Sequence, residues 1–168
     1  MAIQKLAFFS HGWSLAFRNR DLVENNFEAW KFGPVAPVLW EEFRSFGKRS
    51  ISARAKFTNP LTGEKSYQPY KLSADDAEFI QIVLAYYAGF RATELSDLTH
   101  QAGTPWKFVR EKMSSEANFG GVIDNRLIGN AFSKMDIGWL AAAEIKLRPS
   151  SLTERNISST RLCGEGPS

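Results

Sequence analysis

The run from Phe32 to Pro37, which reads FGPVAP, restricts the backbone of this chain more strongly than any other segment. Gly33 can adopt backbone angles that are closed to other residues, and Pro34 limits the conformation of the residue before it. Pro37 has no backbone N–H and therefore fits the first turn of a new helix. The segment predicts a sharp structural corner, after which a helix begins at Pro37.

The residues before this corner have the spacing of a helix. Large apolar side chains recur every three or four positions, at Ile3, Leu6, Phe9, Trp13 and Phe17. This pattern predicts a first helix over about residues 3–17, ended by the polar residues 19–21. Residues 22–30 are expected to form a compact connector, with Trp30 buried against the first helix near Trp13.

The residues after the corner change character twice. The helix that begins at Pro37 is expected to run to about Phe46 and to stop at Gly47. Its core face is predicted to consist of Leu39, Phe43 and Phe46. Residues 51–70 show weak alternation of apolar side chains around a turn rich in Asn, Pro and Gly. They predict a small β-hairpin or an irregular insertion.

Later helices have recognisable start signals. Ser73, with Asp76 three residues later, resembles a capping box. Thr104 can cap a helix that has a proline at its first position, and Asp124 can cap another. A short helix is expected to begin at Thr93.

The C-terminal part of the chain is poor in apolar residues. A further amphipathic piece is predicted over residues 137–147, and Ser, Thr and Gly dominate from position 149 onward. Such a composition is typical of a disordered tail. The sequence therefore predicts a mainly α protein: a compact multi-helix single domain over residues 1–148, with the small hairpin or irregular insertion around residues 51–70, and a tail over residues 149–168.

Composition excludes several classes of protein. The single cysteine, Cys163, rules out a disulfide within the chain and a metal site built from paired cysteines. The first residues lack the long apolar run of a signal peptide, and no apolar stretch has the length of a membrane span. We therefore expect a cytoplasmic protein that has no membrane association.

Positive charge is concentrated in one segment. Residues 44–71 hold seven basic side chains and one acidic side chain, a net of +6, so the rest of the chain carries −3 of the total of +3. Such a patch can attract nucleic acid or an acidic protein face. A solvated surface hairpin explains the same charge without any ligand, and we favour that interpretation of the charge alone.

Catalytic and metal-binding chemistry have weak support. An acid–base site could be built from His11, Glu28 and His100, but the two histidines are 89 positions apart and have no metal-ligand spacing. No phosphate-binding glycine loop and no nucleophile elbow occur. We therefore expect no enzyme activity, no metal and no cofactor, and we expect His100 to hydrogen-bond at the helix junction before Pro105.

Three stretches of the sequence together resemble a known family. They are the run QKL with FSHGW at residues 4–13, the run FEAWKFGPVAP at residues 27–37, and the run LSDLTH followed by GTPW at residues 95–106. In this order and spacing they resemble the Panacea domain of SocA-like antitoxins and phage-associated proteins. The matching residues, expected to be structural, are His11, Gly12, Trp13, Glu28, Trp30, Gly33, Pro34, Pro37, Thr99, His100, Pro105 and Trp106.

The resemblance implies a fold and a mode of action. It implies a helical core with at most a small sheet, and binding to a protein toxin or another protein partner. The partner would be neutralised directly or delivered to a ClpXP-type protease. Members of the family usually carry a further helical segment before the QKL motif, and this chain begins almost at that motif.

A partner-binding face can be suggested from the helix after the corner. Trp40 and Arg44 are four residues apart, as are Arg44 and Lys48, so they would share one side of a helix that extended that far. An aromatic beside arginine is a common composition for a binding hot spot. We therefore predict a contact face of Trp40, Arg44, Lys48 and Arg49. The alternative is a nucleic-acid-binding regulator that uses the basic residues 44–71.

Overall fold

The first helix, α1 (Ala2–Trp13), lies at the centre of the fold and is packed by other elements on several sides. The structure, a computed structural model, describes residues 2–47, 49–59, 61–67, 72–113, 120–136 and 138 of the chain. The other helices of the described residues are α2 (Pro37–Phe43), α3 (Ala74–Tyr87), α4 (Ala92–His100), α5 (Pro105–Arg110) and α6 (Asn125–Phe132). The strands are β1 (Phe27–Trp30), β2 (Gly33–Val35), β3 (Phe57–Thr58), β4 (Lys65–Ser66) and β5 (Val122–Ile123). The chain is therefore mainly α, as the sequence predicts.

Burial of α1 exceeds that of a helix with one apolar face. Its buried residues are Gln4, Lys5, Phe8, Phe9, Ser10, His11, Gly12 and Trp13. The helix contacts α3, α4, α6 and β2. Its polar residues are buried because they bind neighbouring backbone and side chains, a role that apolar periodicity cannot reveal.

The end of the first helix differs from the predicted regular one. Residues Ser14–Arg18 continue α1 as a π-helical turn, and Asn19 ends it in the left-handed region with φ of 51°. Ser14 donates a hydrogen bond from its hydroxyl to the carbonyl of Arg20, at 2.9 Å. Arg18 and Arg20 then pair with Asp75 and Asp76 in the first turn of α3. This cluster connects the end of the first helix to the start of the third.

An aromatic cluster fills the interior between α1, α3 and α6. The Phe132 ring of α6 packs edge-on against Phe8 and Trp13, with ring centres 5.7 and 5.2 Å apart. The Tyr87 ring of α3 stacks on Phe9 at 4.4 Å, and its hydroxyl accepts a hydrogen bond from the Trp13 indole at 3.0 Å. The abundant aromatic residues of the first helix therefore build the core of the domain.

A small antiparallel sheet replaces the connector expected over residues 22–30. The strands lie in the order β2-β1-β5, with Ala29 opposite Pro34 and Phe27 opposite Ile123. The prediction of a compact connector missed strand β1, because the strand has only four residues, too few to show a clear alternation, and its second neighbour is supplied by a segment far along the chain. A side chain at Gly120 would collide with the Ala29 carbonyl, so the third strand enters through a residue that must be glycine.

The predicted corner is confirmed. Lys31 and Phe32 form a two-residue turn between β1 and β2, and Gly33 has a φ of +103°. Pro37 then occupies the first turn of α2, and residues Arg44–Phe46 extend it as a 3₁₀ turn that ends at Gly47. Helix α2 contains no buried side chain. The residues of its predicted core face, Leu39, Phe43 and Phe46, are half-buried.

The predicted helix caps are confirmed at three positions. The side chains of Ser73, Thr104 and Asp124 accept hydrogen bonds from backbone N–H groups in the first turns of α3, α5 and α6. Helix α4 begins at Ala92, one residue before the start predicted at Thr93. The Glu94 carboxylate accepts a hydrogen bond from the backbone N–H of Arg91 at 2.6 Å, which fixes the earlier start.

The insertion after α2 contains a two-stranded hairpin, in which β3 pairs with β4 in antiparallel fashion. Residues 2–136, except the gaps given above, belong to one compact unit. Predictions for Lys48, for positions 68–70 of the insertion, for the helical piece over 137–147 and for the tail over 149–168 fall outside the described residues, apart from Gly138. Among the described helices, none combines the length and apolar character needed to cross a membrane.

Gly12 offers a test of the aromatic core. A Cβ at this position would lie 2.5 Å from the Phe132 ring, so Gly12→Ala overpacks the cluster. We expect the free energy of unfolding to fall by about 1–3 kcal/mol, measured by urea denaturation. Gly89→Ala is the matched control, because a Cβ at Gly89 meets no atom within 4 Å. Equal stability of the two variants would contradict this packing.

Candidate partner-binding site

Two polar side chains of α1 fix strand β2 against the helix. The Gln4 amide binds both backbone groups of Ala36, since its oxygen accepts from the N–H at 2.9 Å and its nitrogen donates to the carbonyl at 3.4 Å. Lys5 donates from its ammonium to the carbonyl of Pro34 at 3.1 Å. These bonds satisfy backbone groups of Pro34 in β2 and of Ala36, the residue that follows it. They set the position at which the chain turns into α2.

Gly33 is required by the buried Lys5 as well as by the turn. A Cβ at Gly33 would lie 2.6 Å from Lys5 Nζ and 2.8 Å from the hydroxyl oxygen of Thr99. Burial lowers the pKa of Lys5 to about 8, because the charged ammonium loses its water. The motif residues Gly33 and Pro34 therefore accommodate the Lys5 side chain of the first helix. Gly33 leaves space for it, and the Pro34 carbonyl accepts its hydrogen bond.

A groove lies between the N-terminal end of α1, the β1–β2 turn, and α2 with its 3₁₀ extension. Its volume is about 480 Å³. The lining is mainly apolar and aromatic, and includes Ile3, Trp30, Phe32, Val35, Leu39, Trp40, Phe43, Phe46 and Ile51. Three basic residues, Lys31, Arg44 and Arg49, also line it. Exposed apolar surface bordered by charge is typical of a protein-interaction site.

The predicted contact residue Trp40 lies in this groove and is half-exposed. Its ring packs at 5.2 Å from that of Trp30, and the Arg44 guanidinium lies 5.3 Å from the Trp40 ring centre. Arg44 also pairs with Glu41 at 2.8 Å. Three of the four predicted contact residues, Trp40, Arg44 and Arg49, therefore line one groove, and Lys48 lies outside the described residues.

Trp30 occupies a different place from the one predicted. It is half-buried and contacts Trp40, whereas Trp13 packs against the Phe132 ring. The Trp30 indole donates to the Glu28 carboxylate at 2.7 Å. The backbone carbonyl of Trp30 accepts from the Trp106 indole at 2.8 Å. The expectation of burial near Trp13 was wrong because strand β1 directs Trp30 toward α2.

The third motif forms the junction between α4 and α5. His100 bonds through Nδ1 to the carbonyl of Ser96 at 2.6 Å, and its ring packs edge-on against Trp106 at 3.9 Å. The Thr104 hydroxyl donates to the carbonyl of Thr99 at 2.8 Å, just before Pro105. The predicted hydrogen bond of His100 is therefore made within α4, and the link between the two helices is the packing of its ring against Trp106.

His11 is completely buried and bonds through both ring nitrogens. Its Nδ1 accepts from the backbone N–H of Val23 at 3.2 Å, so the proton of the neutral ring lies on Nε2. Nε2 then donates to the side-chain oxygen Oδ1 of Asn125 at 3.1 Å, and the side-chain nitrogen of Asn125 donates to the Asp21 carboxylate at 3.0 Å. Desolvation lowers the pKa of His11, because the imidazolium would be buried away from water.

The structure therefore gives the three residues of the acid–base hypothesis separate partners. Glu28 bonds to Trp30, His100 to Ser96, and His11 to Asn125 and the backbone of residue 23. Within the described residues, no group of three His, Cys, Asp or Glu side chains is arranged to hold a metal ion. A second, more polar cleft of about 630 Å³ lies between the π-helical turn and α6. Arg20 and Asn125 in its lining already bind Asp75, Asp76 and Asp21.

Comparison with known proteins agrees with the motif geometry. Residues 3–107 match the family described as Antitoxin SocA-like, Panacea domain. The chain belongs to this family. Antitoxin SocA of Caulobacter vibrioides (strain NA1000 / CB15N) is 33% identical over 132 residues, which cover 79% of this chain and 70% of that protein. No solved structure shows significant similarity.

The SocA-like match covers the groove and the contacts that position it. It extends from α1 through the β1–β2 turn and α2 to the first turn of α5. Strand β5 and helix α6 lie beyond residue 107, although Phe132 and Asn125 complete the core and the His11 network. The QKL motif is best explained by the contacts of Gln4 and Lys5, which sequence analysis did not select, because polar residues within an apolar helix give no signal of their burial.

Lys5 should control stability at alkaline pH. Between pH 8 and its unfolded pKa of 10.5, the unfolded chain holds a proton on Lys5 that the folded chain has lost, so stability rises with pH. We expect a rise of about 2 kcal/mol from pH 8 to pH 10, and a flat profile for Lys5→Met. The scan stays below pH 10, because the pKa of Tyr87 is raised by burial to about 12, which lowers stability above that range.

The control for this measurement is Lys134→Met, which removes a surface ammonium and should retain the rise. Chemical denaturation at each pH gives the free energies of unfolding. A Lys5→Met profile as steep as that of the wild type would contradict the buried, desolvated ammonium.

His11 should control stability on the acid side. Below its unfolded pKa of 6.5, the unfolded imidazole takes up a proton more readily than the folded one, so stability falls as pH falls. Between pH 6.5 and 5.5 we expect a loss of up to about 1 kcal/mol, reduced in His11→Gln. His100→Gln is the control, because it removes the other imidazole of the chain. An unchanged acid slope in His11→Gln would show that the loss has another origin.

Proposed function

We propose that this chain is an antitoxin that neutralises a protein toxin by stoichiometric binding through the groove beside α2. The observation that carries the proposal is the half-exposed Trp40, held between Trp30 and Arg44 on a helix that has no buried side chain. Membership in the SocA-like family supports the antitoxin role. Binding needs no catalytic group, so the proposed protein is a regulator rather than an enzyme.

The local chemistry suits a protein contact. Aromatic side chains and arginine contribute disproportionately to binding energy when a partner removes them from water. Trp40 and Arg44 already touch, so few rotamers need to be fixed on binding. The Gln4 and Lys5 contacts hold the opposite wall of the groove, which presents a preformed surface to the partner.

Delivery of the bound toxin to a ClpXP-type protease is compatible with the same face. In direct neutralisation, an equimolar amount of the antitoxin inhibits the toxin without a protease. In delivery, toxin disappears from cells and the antitoxin is reused. Growth rescue in cells with and without ClpXP separates the two routes, and binding through the groove is common to both.

The double variant Trp40→Ala/Arg44→Ala tests the face. The partner is the product of the open reading frame beside this chain's gene, purified and titrated by calorimetry. We expect at least a tenfold loss of affinity, equal to about 1.4 kcal/mol, and loss of growth rescue. Circular dichroism and thermal melting verify that the variant is folded.

The matched control is Phe108→Ala/Lys112→Ala. Here too a cation covers an exposed aromatic ring, at 3.9 Å, but the pair belongs to the region of α5 and lies outside the groove lining. Its affinity should equal that of the wild type. Undiminished affinity of the folded groove variant would exclude this face, and toxin inactivation far below equimolar amounts without protease would contradict stoichiometric binding itself.

A further inference from the structure

We propose that the groove beside α2 receives an amphipathic, acidic segment of the partner protein, with apolar side chains inserted into the groove and carboxylates on its rim. This inference rests on the proposed function and specifies the chemistry of the partner. Three features of the groove support it. They are the apolar floor, the hydrogen bonds and the ion pair that its polar groups already make within the chain, and the positive charge around it.

The floor of the groove fits apolar side chains. Val35 of β2 is buried at its base, while Leu39 and Phe43 of α2 are half-buried along one side. Ile51 remains 38% exposed at the far end, and Phe32 is 62% exposed at the turn. Apolar surface of this kind gains free energy when it is covered by a partner.

Three polar side chains of the groove, those of Gln4, Arg44 and Arg49, already have partners within the chain. The Gln4 amide binds Ala36, and the Arg49 guanidinium donates to the carbonyls of residues 45 and 46 at 3.1 and 3.4 Å. Arg44 pairs with Glu41. A small polar ligand needs donors and acceptors that converge on it, so these commitments favour an apolar insertion.

The charge around the groove selects for acidic partners. Lys31, Arg44 and Arg49 line it, and the basic insertion contacts α2 where the Lys56 N–H donates to the Glu42 carboxylate at 2.8 Å. Arg54, Lys56 and Lys65 are exposed on that insertion. Carboxylates on the partner would therefore meet an excess of cations, which steers association.

The same observations disfavour two other occupants. Nucleic acid would neutralise the cations, but phosphate contacts leave the apolar floor exposed to water. A second copy of this chain in a symmetric dimer would place one basic patch against an identical one. A segment that carries apolar and acidic side chains would cover the apolar floor and pair with the basic rim at the same time.

A labelled peptide tests the proposal on the full chain. The probe is a fluorescein-labelled amphipathic peptide with leucine and tryptophan on one face and glutamate on the other, and binding is followed by fluorescence anisotropy. Two comparison peptides replace glutamate by lysine or scramble the order of the same residues. We expect at least tenfold tighter binding of the acidic amphipathic peptide than of either comparison, with affinity that weakens as salt is raised.

Two variants of α2 locate the contact. Leu39→Glu places a carboxylate in the groove lining and should reduce affinity at least tenfold. Val38→Glu adds the same charge to the neighbouring residue, which is 61% exposed and lies outside the lining, and should change affinity by less than about threefold. Circular dichroism verifies that both variants are folded.

Several outcomes would overturn the inference. Equal binding of the lysine peptide would remove the role of charge, and equal loss in the two α2 variants would place the contact elsewhere. Displacement of the peptide by duplex DNA with higher affinity would identify nucleic acid as the occupant. A dimer in sedimentation that dissociates in Leu39→Glu would identify a second copy. Loss of toxin binding in the Trp40→Ala/Arg44→Ala variant, together with failure of the peptide, would reject this segment chemistry and retain the antitoxin function.

Discussion

The bonds of Gln4 and Lys5 to strand β2 are the contacts on which the arrangement of the N-terminal half depends. The two side chains leave a buried helix and satisfy backbone groups of Pro34 and Ala36, the residues on either side of Val35. An unpaired buried backbone group is costly, so the strand is held in one register against the helix. The desolvated ammonium of Lys5 opposes stability at neutral pH, and the aromatic core compensates for it.

The bonds of Gln4 and Lys5 connect the family motifs to the proposed interaction. It fixes the point at which α2 leaves the sheet, and α2 carries Trp40 and Arg44 into the groove. The third motif, residues 95–106, supports the turn between β1 and β2. The Trp106 indole donates to the carbonyl of Trp30, and the Ser96 hydroxyl donates to the carbonyl of Phe32. Residues that are distant in sequence thus converge on a single turn of the backbone.

Elements with a local signal can be predicted from the sequence, whereas elements that depend on a distant partner cannot. The corner at Gly33, the caps at Ser73 and Thr104, and the hairpin after α2 follow from short-range stereochemistry. Strand β1 was missed because its second neighbour, β5, is nearly one hundred residues away. For the site, Trp40 was identified from its place on a helix, whereas the groove required the positions of three elements, and burial of Lys5 has no sequence signature.

The absence of any buried side chain in α2 has a consequence for how the groove can deform. Helices without buried contacts open locally at a small fraction of the free energy needed to unfold the whole protein. The wall formed by α1 and β2 is fixed by buried hydrogen bonds, while the wall formed by α2 is held by partly exposed contacts such as that between Trp40 and Trp30, which cost less free energy to rearrange. The groove therefore combines one rigid wall with one compliant wall, and its width can adjust to side chains of different size while the recognition chemistry stays the same.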